Sequence, residues 1–103
     1  MKRTPLTNGS GRWFDEDKAE VITEDTYHDG RNFISKATGS QWEHERLWRT
    51  AGGRWILNHW SNWQGSSESY EEVSDLFVAE WLAKQGLDSH ETVEELYNEL
   101  EIK

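Results

Sequence analysis

Polar and apolar positions along this 103-residue chain change period several times, and each change marks an expected element. Residues 1–11, with Pro5, Asn8, Gly9 and Gly11, read as a flexible lead-in. Arg12 to Phe14 reads as a brief extended stretch. Asp15 then stands where it would cap a helix running to about Glu24, with acidic residues crowding the first turn and Ala19 and Ile22 at helical spacing. "YHDGR" is a turn signalled by Asp29-Gly30, and "NFISKAT" reads as a strand that ends at Gly39-Ser40.

The clearest pattern is "WEHERLWRTAGGRWILNHWSNW", residues 42–63. Two alternating runs flank Ala51-Gly52-Gly53, as in an antiparallel hairpin whose glycines supply positive φ. A two-residue Gly52-Gly53 turn faces Trp48 with Leu57 and places Trp42, Trp48, Trp55, Leu57 and Trp63 on one side as a core stripe. The reverse then holds Leu47, Ile56 and Trp60 among Glu45, Arg49 and Asn58. A three-residue loop, Ala51 to Gly53, slips the register by one and pairs Trp48 with Ile56 and Leu47 with Leu57. Both registers suit the sequence.

Beyond the "GSSES" linker, Tyr70 to Val73 reads as a short strand. Ser74 or Asp75 caps a helix through Lys84, with Leu76, Ala79, Trp81 and Leu82 apolar and Gly86 as its C-terminal stop. Asp88 and Glu91 make a capping box for a last helix lined by Val93, Leu96, Tyr97 and Leu100. "FDEDKAEVI" and "VSDLFVAEWL" share an Asp-x-x-x-Ala-Glu core, which suggests two similar strand-to-helix corners. The expected fold class is α+β: a small antiparallel sheet of three or four strands centred on the 42–63 hairpin, with two or three helices packed on one face. Residues 12–103 form one domain, with 87–103 as a peripheral C-terminal helix.

Composition changes this picture in two ways. Hydrophobic residues make up 34% of the chain but aromatics 13%, so the core area resides in a few large rings, and the chain is expected to fold rather than stay disordered. The absence of cysteine removes disulfides, thiol nucleophiles and Cys-based metal sites, and suits a reducing, cytoplasmic setting. No apolar run reaches the roughly 20 residues of a membrane span, and "MKRTPLTNGSG" lacks the apolar stretch of a signal peptide.

The net charge of -9 is lopsided. Residues 1–65 carry nine Lys or Arg and nine Asp or Glu, whereas residues 66–103 carry two and eleven, so the whole excess lies in the second segment. Such a surface repels phosphate backbones and favours a partner with a basic surface. Direct nucleic-acid binding is therefore not expected.

The candidate chemistry is sparse. His44, Glu45 and His59, with Arg46, are the one grouping that suggests a general base or a metal ligand. They lack the helical His-Glu-x-x-His frame, and His44 and Glu45, adjacent on a strand, point to opposite faces. No cofactor and no metal are expected, and His28 and His90 show no evident partners. Trp60 and Trp63 are the rings of the hairpin most expected to stand at a binding edge. Glu94, Glu95 and Glu99 concentrate the negative charge on the last helix and are the candidate partner-binding acids.

The run "ATGSQWEHERLWRTAGGRWILNHWSNWQGS", followed by a Tyr and then "AEWL", resembles a group of small uncharacterised prokaryotic proteins. They share Trp-x-His-Glu, Arg-Thr-x-x-Gly-x-Trp and Trp-Ser-x-Trp-x-Gly. The resemblance spans residues 14–86 and implies a compact domain, with no activity attached to it. Together these readings favour a non-enzymatic interaction or regulatory module, with self-association possible through the last helix. The alternatives are a small-molecule binder or hydrolase using His44, His59 and Arg46, and an acidic protein that imitates nucleic acid to inhibit a basic one.

Overall fold

The structure is a computed structural model that describes residues 1–63, 65–86 and 91–103. Its centre is a four-stranded antiparallel sheet formed by β3 (Glu20–Thr23), β6 (Glu43–Arg49), β7 (Trp55–Ser61) and β8 (Ser69–Val73), in the order β3-β6-β7-β8. Two small hairpins accompany it: β1 (Arg3–Pro5) with β2 (Trp13–Asp15), and β4 (Thr26–His28) with β5 (Phe33–Ser35). Two helices follow, α1 (Asp75–Lys84) and α2 (Glu91–Leu100), so the architecture is α+β. No helix among the described residues is long and apolar enough to cross a membrane.

The hairpin takes the register with the longer loop. Leu47 lies opposite Leu57, Trp48 opposite Ile56 and Arg49 opposite Trp55. Thr50 closes the three-residue loop: its N–H donates to the Arg54 carbonyl at 2.8 Å, and its own carbonyl and hydroxyl accept from Gly53 N–H and Arg54 N–H. Gly53 sits at φ +80°, the left-handed position that a three-residue hairpin requires, whereas Gly52 is not in that region. Two glycines in the turn therefore do not imply two positive φ angles.

This register splits the tryptophans between two cores and removes the single stripe of four tryptophans and Leu57. Leu47, Trp55 and Leu57 join a buried cluster with Val78, Ala79, Trp81 and Leu82 of α1 and Val93 and Leu96 of α2. Trp48 and Ile56 point the other way, into a second cluster with Leu6, Phe14, Ala19 and Tyr70. Trp42 and Trp63 belong to neither and are exposed.

The N-terminal segment is the main departure from the sequence reading. Residues 1–11 contain a strand rather than only a lead-in. Thr4 faces Phe14 across the β1–β2 pair, and Thr4, Leu6 and Phe14 are all buried. Thr7 ties this hairpin to the sheet edge, its N–H and hydroxyl both donating to the Tyr70 carbonyl while its Oγ1 accepts from Tyr70 N–H. An edge strand with open backbone groups is thereby covered.

The helix expected from Asp15 to Glu24 is absent. Asp15 does cap, accepting from Asp17 N–H, but what it caps is one 3-10 turn, Glu16–Lys18. The chain then extends as β3, because Ile22 opposite Leu47 buries a β-branched side chain in the first cluster. The apparent echo at residues 75–82 is thus one of sequence alone. There, Ser74 accepts from Phe77 N–H and a full α-helix forms. The expected strand over residues 32–38 shortens to β5, since Ser35 Oγ accepts from the N–H groups of Ala37 and Thr38 and turns the chain. The capping box at Asp88 and the position of His90 lie outside the described residues.

Two stability outcomes follow. Gly53→Val is expected to cost about 1–2 kcal/mol, all of it from forcing an L-residue into positive φ, because a Cβ there would meet nothing within 4 Å. Gly52→Ala is expected to stay within roughly 0.5 kcal/mol, and urea denaturation of both variants checks the pair. Trp81 is only 2% exposed. Truncating it to Ala is expected to cost about 3–5 kcal/mol, which would erase most of a cooperative thermal transition in a domain whose total stability is roughly 5–15 kcal/mol. A parent-like melt would contradict its placement.

Candidate functional site

The β6–β7 register decides which polar side chains can meet. His44 is paired with Trp60, and Glu45 with His59, so the two histidines are on opposite faces of the sheet. Each has its own carboxylate: His44 Nδ1 lies 2.6 Å from Glu24 Oε1, and His59 Nε2 lies 3.0 Å from Glu43 Oε2. The grouping of His44, Arg46 and His59 considered from sequence is therefore not convergent, and only His44 and Arg46 share a face.

Around His44 the structure builds a closed polar network. Glu24 bridges the His44 ring and the Ser35 hydroxyl, which donates to its other oxygen. Its side chain is 8% exposed and Ser35 is fully buried. On the far side of the ring, Asn62 Nδ2–H donates to His44 Nε2 at 3.0 Å, which assigns the proton to Nδ1. Both ring nitrogens are thus engaged. Trp60 stacks on the imidazole with centroids 5.6 Å apart. This arrangement orients a histidine firmly but leaves no free nitrogen for a substrate proton, and Ser35 is already bonded on every side.

Arg46 continues the row. Its guanidinium lies over both Trp60 and Trp48, 4.8 and 5.4 Å from the ring centroids, and its Nε–H donates to Asn58 Oδ1 at 2.6 Å. Asn58 is fully buried, and its amide passes hydrogen bonds on to Glu68 Oε1 and the Ser69 carbonyl. Burial, reinforced by the charge of Glu68 and a hydrogen bond to it, pushes the Tyr70 phenol up to about 12, so it stays neutral and acts as a donor. Among the side chains of the described residues, one buried polar atom lacks a hydrogen-bond partner, the indole nitrogen of Trp48. No group of three or more His, Asp or Glu among those residues is placed to hold a metal ion.

Of the aromatic candidates, Trp63 is exposed and meets Trp42 with ring centroids 4.7 Å apart, while Trp60 is half-buried between His44 and Arg46. The acidic candidates Glu94, Glu95 and Glu99 are all on the exposed side of α2, whose Val93 and Leu96 are buried. Glu95 makes a long ion pair with Arg49 at 3.8 Å.

A different feature was not anticipated from sequence. A cavity of about 230 Å3 opens between the N-terminal hairpin and the β6–β7 loop, with Leu6, Phe14 and Ile56 in its lining and Arg12, Lys18 and Arg54 among its charged residues. Glu72 binds both arginines, one on each carboxylate oxygen, with Arg12 Nη1 at 3.1 Å and Arg54 contributing its Nε–H. The Arg54 contact, which outweighs partial burial, and the two guanidinium charges hold the Glu72 carboxyl below its ordinary range. Leu6 lies on a segment whose sequence reads as lead-in and Lys18 on one that reads as helix. The alternation Arg12-Trp13-Phe14 was the one available signal.

Compared with protein-family models, curated proteins and solved structures, the chain matches none of them.

The closed network around Glu24 makes a stability prediction. Glu24→Ala strips the buried Ser35 hydroxyl and the His44 ring of their shared acceptor and is expected to cost about 1–3 kcal/mol. Glu24→Gln, which keeps one carbonyl oxygen, should cost less. Equal urea midpoints for the parent and Glu24→Ala would show that the network contributes nothing.

Proposed function

We propose that this protein is a small acidic interaction module that presents α2 to a partner with a basic surface, and that it is not an enzyme. The observation that carries this reading is the two-sidedness of α2. Val93 and Leu96 anchor the helix in the main core, so Glu91, Glu94, Glu95 and Glu99 are held outward on a fixed support. No Lys or Arg occurs between residues 85 and 102, so compensation within the segment is absent and comes from outside it through the long Arg49–Glu95 pair. In this reading the two helices form a layer over one face of the four-stranded sheet and the N-terminal hairpin occupies part of the other, which leaves α2 as the outer acidic surface. Tyr97 and Leu100, both exposed beside the glutamates, supply apolar area for the centre of such a contact.

The separation of His44 from His59 and the engagement of both His44 nitrogens weigh against the hydrolase alternative. For the nucleic-acid-mimicking reading, no observation favours it over a general basic partner.

Affinity capture from host lysate tests the proposal, with the parent and the Glu94→Gln, Glu95→Gln, Glu99→Gln triple variant as baits and mass spectrometry as the readout. The parent is expected to retain basic proteins that the variant loses, with the fold unchanged because exposed charges contribute little stability. In stopped-flow mixing with a captured partner, the on-rate is expected to fall by at least about tenfold between low and high salt, and by a similar factor in the triple variant at low salt. Identical capture by both baits would reject α2 as the interface.

A further inference from the structure

The cavity beside the β6–β7 loop has a composition at odds with the rest of the molecule. In a chain of net charge -9, its lining carries Arg12, Lys18 and Arg54 against Asp15 and Glu72, a local excess of one positive charge. Leu6, Phe14 and Ile56, each 7% exposed or less overall, supply an apolar wall. Apolar walls with a few fixed polar groups at the opening are the usual construction of a small-molecule site.

The cations are arranged, not scattered. Glu72 takes one N–H from each of two guanidiniums, and a guanidinium has five, so Arg12 and Arg54 both keep donors for a second anion. Their side chains are 58% and 60% exposed, which leaves those donors reachable from solvent. Asp15 competes weakly as an internal anion, because one of its oxygens already accepts from the Lys2 and Asp17 N–H groups. Trp13 adds a ring to the lining, its face covered by the Arg3 guanidinium at 4.6 Å.

We infer that this cavity binds a small organic monocarboxylate with an aromatic body, the carboxylate meeting Arg12 and Arg54 and the body lying against Phe14 and Ile56. A single negative charge matches the local excess of one, whereas a dianion would also face the acidic remainder of the chain. A neutral apolar molecule leaves the arginine donors unused. The site is independent of α2 and stands or falls separately from the partner-binding proposal.

The test is an NMR titration of the full chain, following backbone amides, with phenylacetate, phenylacetamide and acetate as probes. Phenylacetate is expected to give saturable shifts at Phe14, Ala51, Gly52 and Ile56. Phenylacetamide, which lacks the charge, and acetate, which lacks the body, should each bind at least about tenfold more weakly. Arg12→Gln and Arg54→Gln are each expected to weaken phenylacetate about tenfold, the usual scale for one lost charge-assisted contact, while amide shifts distant from the cavity keep their parent positions. Absence of saturable shifts with phenylacetate, equal binding of the amide, or unchanged affinity in both arginine variants would overturn the inference. Should one arginine variant disturb distant amides, the other decides under the same criteria.

Discussion

Leu47 opposite Leu57 is the contact on which the rest of the molecule depends. Side chains alternate along a strand, so moving that pairing by one residue would send every side chain of one strand to the other face of the sheet. In the observed register Leu47 and Leu57 are buried beneath Trp81 and Leu82, while Trp48 and Ile56 bind the N-terminal hairpin. The three-residue loop holds this choice in place, since Gly53 alone provides the positive φ and Thr50 satisfies the closing hydrogen bonds with both backbone and side chain.

Polar residues within the sheet need partners, and on one face they run in a row. His44, Arg46 and Asn58 occupy the same face as Trp48 and Ile56. Arg46 is the link, donating to buried Asn58 while its flat guanidinium covers two indoles. An apolar side chain could cover the rings, but it would leave Asn58 Oδ1 buried without that donor, and a buried acceptor without its partner is costly. The same reasoning separates structure from chemistry around His44. A histidine with both nitrogens bonded, beside a fully buried serine, is built to hold still.

The elements that were legible in the sequence are those with several repeats of their own period. The β6–β7 hairpin, α1 and α2 each show several positions in phase, β8 is bounded by the Ser-rich linker and the Ser74 cap, and the Asp29-Gly30 turn carries its own chemistry, with Asp29 Oδ1 accepting from Arg31 and Asn32 N–H groups. The illegible parts are short or ambiguous. Three residues of β1 and three of β2 are too few to show alternation, and Asp15 is an equally good cap for a 3-10 turn and for an α-helix. Residues 19–23 became strand because the exposed edge of β6 offered Val21 and Ile22 a pairing partner, a tertiary effect that no local pattern contains. The site residues divide in the same way. The exposure of Glu94, Glu95 and Glu99 was readable from helical phase, whereas Glu24 meets Ser35 and His44 from 11 and 20 positions away, and Arg12 meets Glu72 across 60.

The clasp between Thr7 and Tyr70 spans 63 residues, more than half of the chain. Contacts of such separation are slow to form because the loop between them must first be ordered. During synthesis residues 4–14 leave the ribosome before β6, β7 and β8, so Leu6 and Phe14 lack Trp48, Ile56 and Tyr70 as neighbours until those strands follow. The second core thus closes across long separations, whereas the β6–β7 hairpin, with its local turn, can form as soon as both its strands are made.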